Sequence, residues 1–151
     1  MLYLFVSLQS NKRYEIMTFT NKILIGGQAL RELGSPRHTN DVDYLVFIDG
    51  DFKNQFIFDQ ENNIDYINGN SSNFFNAIYD LEKGNTIASA QSLFELKAFA
   101  YLSHVRNFNQ NKMNDCVYDL KFLNINFGIN SLKTLSKYIT KNEVAEILNL
   151  I

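Results

Sequence analysis

The chain has no tryptophan, a single proline and a single cysteine in 151 residues. The lone cysteine, Cys116, cannot form an internal disulfide, which fits a reducing compartment and a cytoplasmic location. Pro36 stands alone, and no Pro/Gly-rich linker, internal repeat or low-complexity tract interrupts the chain. One compact unit over residues 1–151 is therefore expected. No apolar run reaches the roughly 18–20 residues needed to span a bilayer. The apolar opening Met1–Leu8 has neither a basic start nor a small-residue cleavage site, so it does not read as a signal peptide. There is also little excess charge. A net charge of −2 excludes an overall field that attracts nucleic acid. The balance is uneven, with six Lys/Arg against nine Asp/Glu in residues 1–75 and eight against seven in residues 76–151.

Hydrophobic residues at 46% and charged residues at 20% are ordinary globular usage, enough for a real core. The 13 Phe and 8 Tyr are read chiefly as core material. Residues 2–8 and 14–20 read as a hairpin, or as a strand and a helix, around the polar Gln9–Arg13. Residues 22–26 read as a buried strand and 27–33 as a short helix stopped by Gly34. Ser35–Asn40 reads as a loop. Residues 41–48, 55–58 and 63–68 read as strands, the first followed by an Asp49-Gly50-Asp51 turn. Ser71-Ser72 suits the cap of a helix through Leu81, ending near Gly84, and Ile87–Ser89 a short extended piece. Residues 90–106 carry the clearest helical stripe: Leu93, Leu96, Phe99, Ala100 and Val105. A loop over Asn107–Lys112 leads to a helix through about Leu123, with further helices over Ser131–Tyr138 and Asn142–Leu150. The expected fold is α/β in the α+β sense. A small mixed-sheet core occupies residues 1–86 and a helical region residues 87–151.

The chemistry concentrates in residues 25–45, IGGQALRELGSPRHTNDVDYL. Asp41 and Asp43 are separated by one valine, so on a strand they face the same way. Two like charges held that close repel, and apolar neighbours make their burial costly. A divalent cation relieves both. Gly26-Gly27 ends an apolar run and opens a helix, a turn that lets backbone amides approach a phosphate. Thirteen residues separate Gly27 from Asp41, and Arg37-x-Thr39 lies between.

This ordered set, Gly26-Gly27, Arg37-x-Thr39, Asp41-Val42-Asp43, resembles the core motif of the DNA-polymerase-β-like nucleotidyltransferase superfamily. Ile87-Ala88-Ser89, Leu93, Lys97, Arg106, Asp115, Asp119-Leu120 and Leu123 are similar to the second half of minimal AbiEii-type nucleotidyltransferases, which include toxin components of toxin–antitoxin and phage-abortive systems. The likeness covers roughly residues 22–123. It implies a nucleotidyltransferase core in which Asp41, Asp43 and a third carboxylate hold two Mg²⁺ ions. Asp65, on a strand between apolar residues, is the choice for that third ligand, with Asp59 and Glu61 as rivals. It further implies that Gly26 and Gly27 bind phosphates through their amides, that Arg37 and Thr39 brace the loop or touch phosphate, and that Lys97 faces the triphosphate. Asp115 would hold Lys97 in place. The implied catalytic set is Asp41, Asp43, Asp65 and Lys97.

The implied activity is transfer of NMP from an NTP to a hydroxyl. The acceptor would be an RNA 3′-end such as that of tRNA, a protein, or a small molecule as in antibiotic-modifying enzymes. A toxin role would bring an antitoxin or other protein partner. The competing reading is an idle nucleotidyltransferase fold serving as a binding scaffold. His38 and His104 read as loop and helix-surface residues, and Cys116 as a small core residue.

Overall fold

The computed structural model describes residues 3–6, 15–19 and 21–151. Among these residues two sheets and five α-helices make an α+β fold with a helical C-terminal region. At the N-terminus β1 (Tyr3–Val6) and β2 (Glu15–Thr18) pair antiparallel, as a hairpin reading requires. The expected connection over Gln9–Arg13 lies outside the described residues.

The central sheet runs in the order β3-β4-β6-β5. β3 (Ile23–Ile25) is antiparallel to β4 (Val42–Val46), β4 is parallel to β6 (Ile64–Asn68), and β5 (Phe56–Asp59) is antiparallel to β6. Ile87 adds a single parallel bridge outside β3, where Leu24 N–H donates to the Thr86 carbonyl at 2.8 Å and Ala88 N–H to the Leu24 carbonyl at 3.0 Å. The connection from β4 to β6 passes through β5, whose turn is fastened by Asp59. Its carboxylate accepts from the Asn62 backbone at 3.2 Å and from the Asn62 amide at 2.8 Å.

The helices follow their caps. α1 (Gly26–Glu32) starts without a break from β3. α2 (Asn73–Glu82) is capped by Ser72 and α3 (Ala90–Arg106) by Ser89, each hydroxyl accepting from an amide three residues on. α5 (Lys141–Leu148) is capped by Thr140, whose Oγ1 accepts from Glu143 N–H and donates to its carboxylate, both at 3.1 Å. α4 (Gln110–Phe127) is longer than the sequence suggests. Asn109 caps it inside the expected loop, and it runs beyond Leu123 until Gly128 adopts φ +67.

The expected helix over Ser131–Tyr138 is reduced to one 3-10 turn, Leu135–Lys137. The cause is Glu95, buried on α3, whose carboxylate accepts from the backbone N–H groups of Lys133, Thr134 and Leu135 at 3.0, 2.8 and 2.6 Å. Those amides are therefore not free to build a helical ladder.

One apolar cluster packs α1–α5 onto one face of the sheet, drawing Ile23, Ile25, Leu45, Phe75, Leu93, Leu120, Leu135 and Ile147 together. It crosses residue 86, so the sheet and the helical region share a core. A smaller cluster of Val46, Ile48, Ile57 and Tyr66 lies on the other face, beside Phe19, Tyr44 and Phe52. No helix among the described residues is long and apolar enough to cross a membrane.

Candidate active site

The site forms where β3 gives way to α1. Gly26 takes φ +67 there, and a Cβ on it would meet Asp43 Oδ2 at 2.1 Å. The missing side chain thus lets the Asp43 carboxylate lie against the start of α1. Gly27 serves the loop in the same way, since a Cβ there would strike the Thr39 methyl at 2.6 Å. Thr39 is further held by its carbonyl, which accepts from the Gln28 amide at 2.9 Å. The N-cap residue Ile25 offers the opening amides of α1 no side-chain acceptor.

Asp43 lies on β4 directly opposite Asp65 on β6. Both share the pleat direction of Leu45 and Ile67, which pack with the helices, so both face the helical side. Asp41 precedes β4 by one residue and is exposed. Burial pushes the Asp43 carboxyl up to about 6. Lys97 and Lys112 pull it down, while Asp65 and Asp41 add to the rise. Burial and Asp41 also raise Asp65. The rival acids stand elsewhere: Asp59 is taken by the β5–β6 turn, and Glu61 is exposed in that turn.

Carboxylates such as Asp43 and Asp65 are hard oxygen donors of the kind Mg²⁺ takes. Among the described residues no group of three Asp, Glu, His or Cys side chains is placed to hold a metal ion, so the structure does not bring Asp41, Asp43 and Asp65 together as one three-ligand site. That is compatible with Mg²⁺, which is commonly held by one or two carboxylates plus substrate phosphates.

Opposite the acids stands an ionic cluster around Asp119, whose side chain is fully buried on α4. Arg37 grips it with two bonds, Nε to Oδ1 at 2.7 Å and a terminal guanidinium nitrogen to Oδ2 at 2.6 Å. Lys97 Nζ meets the same Oδ2 at 2.8 Å. One carboxylate therefore ties the Arg37 loop, α3 and α4 together, with two cations on one anion. This corrects the expected role of Asp115, which is half-exposed and only 3.9 Å from Arg37. The residue holding Lys97 is Asp119, one turn later. The stripe Cys116, Asp119, Leu120, Leu123, all buried, was the sequence signal for it. Asp115 falls at the edge of that stripe.

A cleft of about 270 Å³ opens between the sheet and α3. Ile25, Gly26 and Asp43 line one part, and Phe56, Ile67, Phe75 and Phe99 make an apolar part beside Gln55. Lys97 and His104 both line it from α3. Their seven-residue spacing, two helical turns, places them on one face. His104, expected on the helix surface, is instead half-buried in the cleft wall. Burial, then Lys112 and Lys97, hold its imidazole below the ordinary histidine value, against a smaller opposing pull from Asp115. His38 is an exposed loop residue 3.3 Å from Arg31.

Comparison with family models, with curated proteins and with solved structures finds no match to this chain.

Proposed function

We propose that the protein is a Mg²⁺-dependent nucleotidyltransferase that moves NMP from an NTP to a hydroxyl acceptor. The observation that carries this reading is the Gly26–Asp43–Asp65 arrangement. A carboxylate is seated against a helix start by a left-handed glycine, and a second carboxylate stands opposite it on a parallel strand. Burial and then Asp65 and Asp41 raise Asp43, and burial and Asp41 raise Asp65, so the charged pair is costly to keep without a cation.

Asp43 and Asp65, with Asp41 at the rim, would hold Mg²⁺ by their carboxylate oxygens. Bound Mg²⁺ supplies Lewis acidity at the reacting phosphate. Lys97, with one side of its ammonium on Asp119, presents the remaining donors to the cleft. The uncapped amides at the start of α1 suit phosphate oxygens as acceptors. The acceptor hydroxyl forms the new O–P bond at the α-phosphorus, its proton passes to Asp65 or to water, and the bond to the β-phosphate breaks to release pyrophosphate. Arg37, spent on Asp119, acts as a brace.

The test is transfer of α-labelled NTP to RNA, protein or small molecules by the purified chain, beside Asp43→Asn and Asp65→Asn. Mg²⁺-dependent labelling reduced at least about a hundredfold in both variants is the expected result. Labelling that survives Asp43→Asn overturns the reading. Absence of any transfer with every NTP and acceptor pool leaves a fold that serves as a scaffold.

A further inference from the structure

The proposed reaction uses the end of the cleft that holds Gly26, Asp43 and Lys97, and leaves the other end without a role. The walls there are aromatic. Phe99 of α3 and Phe75 of α2 line it with their rings edge to face at 4.9 Å, so each holds the other in place. Phe56 of β5 lines it from the sheet and is 61% exposed. The register sets Phe56 opposite Ile67 and Ile67 opposite Leu45, two residues along β4 from Asp43. Phe56 and Asp43 therefore share the helical face. With strands about 4.8 Å apart and a rise of about 3.3 Å per residue, the two lie about 12 Å apart on the sheet. Side chains reach inwards from both ends of that span, and a ribose fits the remainder.

Few polar groups serve this end. Ser103 spends its hydroxyl on the Phe99 carbonyl at 3.2 Å. His104 and the half-buried Gln55 are left. The Gln55 backbone is pinned to the sheet, its carbonyl accepting from Asn68 N–H at 2.8 Å, while its side chain lines the cleft. An amide presents a donor and an acceptor side by side, whereas the two nitrogens of an imidazole point apart. We infer that Gln55 selects the nucleotide and that it selects adenine, stacked on Phe56. The amide oxygen accepts from the exocyclic amine and the amide nitrogen donates to the adjacent ring nitrogen. Adenine selection rests on the proposed reaction and deepens it by naming the nucleotide and the residue that reads it. One amide satisfies that edge of adenine completely. Guanine brings an oxygen, a ring N–H and an amine, and the aromatic walls would leave one of the three unpaired. The pyrimidines offer less ring to stack.

The experiment is equilibrium binding of the full chain, with Mg²⁺ and no acceptor, to ATP, GTP, CTP, UTP and purine riboside triphosphate, which is ATP without its exocyclic amine. The parent should bind ATP roughly tenfold more tightly than GTP or the amine-free analogue. Gln55→Leu keeps the bulk and removes the amide, and should bind ATP and the analogue equally. A merely structural role for Gln55 would weaken every nucleotide together and would not single out the amine. Phe56→Ala should weaken all five by a similar factor, roughly tenfold, with their order kept, and Phe56→Tyr should restore them. Asp43→Asn should lose transfer while keeping the ratio of ATP to analogue, which separates base selection from the reaction. Equal affinity of the parent for ATP and the analogue overturns the inference, as does a preference for ATP that survives Gln55→Leu or a preference for another base. Binding blind to the base, with Asp43-dependent transfer retained, overturns base selection alone. Absence of any nucleotide binding overturns it together with the proposed reaction.

Discussion

At Asp43, burial and two neighbouring carboxylates outweigh the pull of Lys97 and Lys112, and the group titrates near 6. Its unfolded value is about 4. The folded protein therefore holds this proton after the unfolded chain has released it, so stability falls as pH rises from about 4 to about 6. Above that window the ionised carboxylate is a standing cost. Asp43→Asn removes the charge with little change of shape. Without Mg²⁺ the variant should be more stable than the parent at pH 7.5 by about 1–2 kcal/mol, after discount for partial solvent contact, and nearly equal to it at pH 4.5. Thermal melts at the two pH values decide it. Added Mg²⁺ should raise the parent's melting temperature and leave the variant's unchanged. A variant less stable than the parent at pH 7.5 would mean that Lys97 satisfies Asp43 fully. Such a gain in stability on losing a charged group is the usual mark of a residue kept for function.

Among the elements, α3 is the one on which the others depend. It is buried on several sides, through Leu93, Phe94, Glu95, Leu96, Ala98, Tyr101 and Leu102. Lys97 leaves it towards the cleft and Asp119, while Glu95, two residues earlier, leaves it towards residues 133–135. Gln91 supports Glu95, donating from its amide to Oε1 and to the Ser131 carbonyl, both at 2.9 Å. Glu95→Ala would strand three backbone amides and should cost about 3 kcal/mol or more. Hydrogen exchange locates the effect: Thr134 and Leu135 should lose protection beyond the global drop, and β4 amides should lose only the global part.

The same contact explains what sequence reading missed here. Most elements were legible because their signals are local: Ser72 as a cap, Gly34 after α1, the Asp41-Val42-Asp43 spacing on a strand start. Residues 131–138 have helical spacing, but a glutamate some forty positions away takes their amides, and nothing local announces it. Asp119 over Asp115 was legible only from the buried stripe of α4, and motif spacing pointed to the wrong turn. The place of Gly26 against Asp43 follows from the sheet register of β3 and β4, in which Ile25 opposes Asp43.

For the whole molecule, the boundary near residue 86 divides secondary structure without dividing the core. Ile129, Leu132, Leu135 and Ile147 are all buried in the cluster that covers the sheet, although none lines the cleft. Burial of one such side chain stabilises by about 1.5–3 kcal/mol, so four of them approach the entire stability of an ordinary domain, about 5–15 kcal/mol. Removing residues 129–151 also takes away the three amides that Glu95 binds. The full chain should therefore melt in one transition, with the same midpoint by far-ultraviolet and near-ultraviolet circular dichroism. A chain ending at Gly128 should show no cooperative transition and no NMP transfer. Loss of transfer with a cooperative melt retained near the parent's midpoint would place the C-terminal segment in the chemistry rather than the core. Retention of both would make it dispensable, and the position of Lys97 on α3 would then owe nothing to the Glu95 clamp. The expected loss of both follows from one geometric fact: the helix that carries Lys97 into the cleft wall is held from behind by the backbone amides of Lys133, Thr134 and Leu135 on Glu95.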